Sequence, residues 1–335
     1  MSNITRIDRT APALSPYLPG TKVQFAWDST SLGYIKTCPR LYQYIMIEGW
    51  GSSEESVHLR FGIEYHQALQ EYDISKAEGA KHDEAVRHTL RNLLTRTFDW
   101  DTDPTTKAGK YKNRASLVRT VLWYLDKFAD DPAKTYILQD GTPAVELSFR
   151  FELDWGPAAK HQEKGKAQPY MVSGHLDRVV EFGGDLYFMD RKTSTTTLSD
   201  FYFAQFNPNN QMSLYSNAAR IILQNPIKGV IIDAAQVMLD IDKLGIPGAR
   251  FVRSFTYRTT AQLDEWMRDL RYWLTLAEAY AAQDYWPMND TACDKFGGCR
   301  FREICGKSPQ VREQFLKAHF TQLPPEERWN PLKPR

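Results

Sequence analysis

The order of apolar and polar residues divides the chain into a helical first part and a strand-rich middle. Apolar residues recur at helical spacing over about 56–79, 82–98 and 112–129, with the polar stretch DWDTDPTTKAGKYKN before the third. A shorter helix over 29–44 carries Cys38, and Pro39 then has to sit near a helix start, where its missing N–H is no loss. Further on the period changes to two. PAVELSFRFELDW puts Val145, Leu147, Phe149, Phe151 and Leu153 on one face of a strand. Beyond a polar insert, YMVSGHLDRVVEF and LYFMDRKT flank Gly183-Gly184, which predicts a three-stranded meander. A helix over about 210–223, the strands KGVIIDAAQVML and ARFVRSFTY, and a helix over about 260–282 complete an α/β pattern. The expected organisation is a mobile lead (1–25), a helical region (26–135), a core (136–285), a cysteine-bearing segment (286–320) and a tail (321–335).

Composition narrows this only slightly. With 42% apolar and 25% charged residues the chain is ordinary globular protein. It shows no signal-peptide core, and no apolar run nears the roughly 20 residues that span a bilayer. A soluble, cytoplasmic protein without a membrane partner is expected. A net charge of +1 does not exclude nucleic acid, because basic side chains can gather in one groove. Four cysteines in so long a chain do not suggest a secreted disulfide framework; in a reducing compartment a cluster more often holds metal.

The hairpin carries the candidate chemistry, and the plainer alternative is a solvated face on which two Asp residues happen to be opposed. With Gly183 and Gly184 as turn residues, Phe182 faces Asp185, and counting back brings Asp177 opposite Asp190, with Lys192 on the same face. Two opposed carboxylates repel, so one takes a raised pKa or a cation sits between them. Oxygen donors favour Mg²⁺ or Mn²⁺, and Lys192 can orient water or stabilise charge on a phosphate. Glu146, in the preceding strand, is read as structural or supporting.

The sequence Gly174-His-Leu-Asp177 followed by Asp190-Arg-Lys192 resembles the GxxD and (D/E)xK motifs of the PD-(D/E)XK nuclease superfamily. Gly62-Ile-Glu-Tyr-His66 and Gln211-Met-Ser-Leu-Tyr215 resemble the helical histidine and QxxxY motifs of its RecB-like branch. The resemblance implies a restriction-endonuclease-like α/β core, a mixed sheet flanked by helices. It implies His66, Asp177, Asp190 and the Arg191 backbone carbonyl as metal ligands, Lys192 as the catalytic lysine, and Gln211 and Tyr215 as residues that contact DNA or brace the site.

Cys38 with Cys293, Cys299 and Cys305 resembles the iron–sulfur members of that branch, such as CRISPR-associated spacer-trimming nucleases and AddB-type subunits. The implied cofactor is a 4Fe–4S cluster, with a structural Zn²⁺ as the alternative. The later cysteines are spaced C-x5-C-x5-C, which departs from the commonest pattern. Arg40 and Tyr42 are candidates to clamp a single strand; Lys107, Lys110, Lys112, Arg114, Lys160, Lys164 and Lys166 are candidate phosphate contacts. The expected function is a DNA exonuclease acting on single strands or ends. Its setting would be recombination, repair, phage DNA metabolism or CRISPR adaptation, with protein partners in a recombination or CRISPR complex. The alternative is a non-catalytic, DNA-binding iron–sulfur subunit of a larger nuclease.

Overall fold

The computed structural model describes residues 15–52, 56–165, 167–222, 226–238, 250–294 and 298–333. Most of the expected lead (1–14) and Lys166 lie outside them. The elements run β1 (Ala26–Trp27), α1 (Ser29–Thr37), α2 (Pro39–Tyr42), β2 (Trp50–Gly51), α3 (Val57–Ala77), α4 (His82–Arg96), α5 (Lys107–Tyr111), α6 (Arg114–Lys127), β3 (Lys134–Thr135) and β4 (Val145–Glu152). They continue with β5 (Met171–Phe182), β6 (Asp185–Ser194), α7 (Asp200–Ala204), α8 (Asn210–Ile222), β7 (Ile227–Gln236), β8 (Phe251–Thr256), α9 (Thr260–Gln283), α10 (Arg302–Cys305), α11 (Arg312–His319) and β9 (Thr321–Gln322). No helix among the described residues is long and apolar enough to cross a membrane.

The chain forms two compact units interleaved in sequence: residues 1–54, 148–174 and 260–335 make one, and residues 55–147 and 175–259 the other. The second unit holds the hairpin. Gly183 and Gly184 have φ of +62° and +84°, which a two-residue turn of this hand requires at both positions, so Phe182 pairs with Asp185 as expected. β6 pairs antiparallel with β5 and parallel with β7, and β8 is antiparallel to β7, giving a mixed sheet. The parallel β6–β7 step needs a crossover, and α7 and α8 lie in it. In β7, residues Gly229 to Ala235 are all buried, the pattern of a central strand covered on both faces. On one face Phe61, Tyr65 and Leu69 of α3 join Leu93 of α4, Leu117 and Val121 of α6, and Phe251 of β8 in one core. Ser56 caps α3, its side chain accepting from the Leu59 amide.

In the first unit the helix expected over 29–44 breaks at Cys38, which is extended, and Pro39 opens a second helix. That satisfies the proline rule at the cost of continuity. Part of the expected lead is core: Leu18, Val23 and Phe25 are buried. β1, absent from the sequence reading, pairs parallel with Met171 and Val172.

Candidate active site

All the residues expected at the cutting centre belong to the second unit, and the cysteines, Arg40 and Tyr42 to the first. The β5–β6 ladder keeps the expected register through Arg178 and Met189. One pair further on, Asp177 reaches across, and its Oδ2 accepts the Arg191 amide at 2.7 Å. In an extended strand a residue's N–H and C=O leave by the same edge, so the Arg191 carbonyl also faces β5.

α3 brings His66 to the same carboxylate, Nδ1 lying 3.3 Å from Asp177 Oδ2. Glu146 arrives from β4. Its donor oxygen and those of His66 and Asp177 lie within 4.8 Å of one another, the one set of three ligand-type side chains so grouped among the described residues. Glu146 therefore stands at the centre, where the sequence reading had given it a supporting role. Its φ is +48°, a left-handed conformation that non-glycine residues rarely adopt.

Asp190 lies beside this group, 3% exposed. Lys192 Nζ stands 2.7 Å from its Oδ2, yet this oxygen has no hydrogen bond of good geometry. Lys192 also donates to Gln211 Oε1 at 3.2 Å, and Gln211 Nε2 donates to the Tyr215 hydroxyl at 2.8 Å. The lysine is thus held from α8 by Gln211, itself held by Tyr215 one helical turn on; these are the two residues expected to contact DNA or brace the site.

The charges sort as two neighbouring carboxylates must. Burial pushes Asp190 up, and the charge of Asp177 adds to this against Lys192. Burial would raise Asp177 too, but His66, Lys192 and the Arg191 amide together hold it well below the usual carboxylate range. Burial disfavours a charged His66, and Asp177 overrides it, leaving the imidazole above its ordinary value. Burial likewise opposes the Lys192 charge, which Asp190 and Asp177 restore. A hard divalent cation fits this donor set: carboxylates, an imidazole, and a buried carboxylate oxygen short of a partner.

Behind the site, Arg191 and Arg178 point to the reverse of the strands whose other neighbours are Asp190 and Asp177. Asp73 of α3 grips both, 2.5 Å from Arg191 and 3.4 Å from Arg178. Asp131 pairs with Arg253 at 2.7 Å, and Arg253 lies 3.3 Å from Asp233. The sequence reading missed Asp73. Its signal was there: an acid two turns beyond His66, on the apolar side of an amphipathic helix.

In the first unit Cys38, Cys293, Cys299 and Cys305 are free thiols lining one hollow with Leu41, Tyr44 and Phe301. The Asn289 amide donates to Cys38 Sγ at 3.3 Å. Burial raises the Cys293 and Cys305 thiols, and neighbouring sulfurs add to it. Four cysteines lining one hollow suit a thiolate-bound metal or cluster. Tyr42 is fully buried, stacked 5.7 Å from Trp27 with its hydroxyl on Gln24, so it cannot stack on a strand. Arg40 is half-buried and borders a separate cleft with Tyr44 and Tyr285.

A family model of the PD-(D/E)XK nuclease superfamily matches residues 29–306. The chain belongs to this superfamily. Its fold is the restriction-endonuclease-like α/β arrangement expected, and its activity class is nuclease. Solved structures similar to this nuclease include a protein of Eubacterium rectale named "Putative exonuclease", at 12% identity over 87% of this chain and 92% of that one, TM-score 0.45. Another is a protein named SSO0001, at 13% identity over 74% and 76%, TM-score 0.28. At these scores neither carries functional weight. No curated protein matches the sequence.

Proposed function

We propose that this nuclease is a deoxyribonuclease dependent on Mg²⁺ or Mn²⁺, working as an exonuclease on single-stranded DNA or DNA ends. The observation that carries the metal dependence is the convergence of His66, Glu146 and Asp177 beside the Asp190–Lys192 pair. DNA as substrate, and attack at ends, rest on the RecB-like motifs around His66 and Gln211.

His66, Glu146, Asp177, Asp190 and the Arg191 carbonyl would hold the cation, which supplies Lewis acidity toward the phosphate and its attacking water. Asp177 fixes the imidazole of His66, leaving the other ring nitrogen free of that contact. Lys192 is kept protonated by the acids around it, so its part is to orient water and to offset negative charge growing on the phosphorus oxygens. Gln211 holds the ammonium in place, and Tyr215 holds Gln211.

We further infer that the four cysteines hold a 4Fe–4S cluster that ties the first segment of the chain to the last. What supports the cluster over a tetrathiolate zinc site is that one early and three late cysteines resemble the iron–sulfur members of the RecB-like branch, and that all four line one hollow.

The test is cleavage of end-labelled single-stranded and circular DNA with and without Mn²⁺. Lys192→Ala and Asp190→Asn are expected to lose about 10²–10³-fold in rate while melting near the wild-type temperature. Full activity in both folded variants, or cutting in chelator, refutes the assignment. Anaerobic protein should absorb near 400 nm and carry iron; colourless, zinc-loaded protein overturns the cluster.

A further inference from the structure

Helix α3 leaves an uncharged, partly apolar stripe in the open, and the stripe ends at the cutting centre. At 3.6 residues per turn, Leu59 lies about 20° round the helix from His66, Ile63 about 60° to the same side, and Gly62 about 40° to the other. Leu59 is 59% exposed and Ile63 52%. His66 itself, with a side chain 29% exposed, reaches from this stripe to Asp177. The charges of the same stretch are turned elsewhere: Arg60 to Asp99 and the Trp100 ring, Glu64 and Glu71 to Arg96.

A single exposed leucine is ordinary on a protein surface. Here two apolar side chains share the stripe that leads to a metal ligand, and Gly62 supplies an independent observation. Glycine inside a helix is less stable than alanine, because its backbone loses more freedom on folding. Nothing in the fold calls for it at this position. Gly62 is mid-helix without a positive φ, and a Cβ there would meet no atom of the described residues within 4 Å. Gly174 is the contrast, since a Cβ on it would stand 2.5 Å from the Phe149 ring. Gly62 therefore opens a notch that serves no packing inside the chain. The notch lies one turn before His66, about 6 Å along the axis, and helical side chains lean toward the N-terminus, so the imidazole leans toward it.

We propose that Leu59, Gly62 and Ile63 form a base-binding notch, which takes the flat apolar face of an unpaired nucleobase beside the phosphate being cut. The cation draws the phosphate, so the groups carried next to it are sugar and base. A neutral stripe offers nothing to a further phosphate but matches the face of a base, against which leucine and isoleucine serve as wedges. In a duplex those faces are stacked and covered; an unpaired strand presents them. The notch thus selects single strands, which deepens the reading above and rests on it.

The experiment is equilibrium binding of a labelled single-stranded oligonucleotide in chelator, across a salt series, for wild type, the double variant Leu59→Gln/Ile63→Gln, and Gly62→Ala. An abasic strand of equal length is the control. The double variant is expected to bind about tenfold more weakly and Gly62→Ala about threefold. The slope of log K against log salt should not change, because bases and not phosphates lose contact. All three proteins should bind the abasic strand alike. Gly62→Ala should melt about 2 °C higher than wild type, so its weaker binding is not a folding defect, and it reports on the notch even if the double variant misfolds. Its melting shift in Mn²⁺ should equal that of wild type, with His66 undisturbed. Equal affinity in the folded variants, equal losses on the abasic strand, or a lowered salt slope overturns the proposal. A double variant that changes only the sedimentation of the protein overturns it too, and makes the stripe a contact between copies. If wild type cuts single strands while the notch fails these tests, the parent reading stands alone; wild type that neither binds nor cuts them overturns both.

Discussion

Replacing Glu146 separates two quantities that the fold has put at one position. Its φ of +48° holds a side chain in a region that costs an L-residue about 1–2 kcal/mol. Glu146→Ala removes the carboxylate and keeps the strained backbone; Glu146→Gly removes both. In an ordinary strand glycine is less stable than alanine by about 0.5–1 kcal/mol. Here the order should reverse, with the glycine variant about 1 kcal/mol more stable, or roughly 2 °C in melting temperature for a chain of this size. The second quantity is read by repeating the melts in Mn²⁺. Saturation at about 100 times Kd stabilises wild type by about 2.7 kcal/mol. Both variants should lose most of that increment, since each takes one ligand from the group formed with His66 and Asp177. A glycine variant no more stable than the alanine one would refute the strain. An intact Mn²⁺ increment in both would remove Glu146 from the metal centre.

Asp73→Asn should cost about 3–5 kcal/mol in urea unfolding, because it leaves Arg191 and Arg178 buried beside a neutral amide. A loss below about 1 kcal/mol would show that neither guanidinium depends on it. The His66–Asp177 pair gives metal-free protein a pH signature. The His66 pKa is raised in the fold, so its contribution is complete below about 6.5 and disappears as pH rises through the raised value. The Asp177 pKa is depressed, so its contribution is complete above about 4 and is lost as pH falls through the lowered value. Urea midpoints of His66→Gln measured from pH 3 to 9 should lack the decline above 6.5; a decline equal to wild type would rule the pair out as its source.

The hairpin was legible because Gly183-Gly184 permits one turn and one register, and that register carries Asp177 and Asp190 with it. The ordered motifs pointed to His66, Lys192 and Gln211, which the fold brings to Asp177 and Asp190. Glu146 was hidden for a physical reason: alternation is read on the assumption of uniform strand geometry, and no residue type announces a left-handed glutamate. Asp73 was readable in principle, as a charge among Phe61, Tyr65, Leu69 and Tyr72 on a buried helix face. Tyr42 misled, since an aromatic beside a basic residue looks the same whether it meets a base or, as here, lies between Trp27 and Trp286. The break at Cys38 followed from Pro39, which allows a helix to begin but not to pass through.

α3 gives His66 to Asp177 and, two turns on, Asp73 to Arg191 and Arg178, about 10 Å apart along its axis. Lifting that helix would withdraw an imidazole from the centre and release both arginines in a single movement. Partial opening therefore has no graded, half-competent form. Hydrogen exchange along α3 is then expected to track loss of cutting.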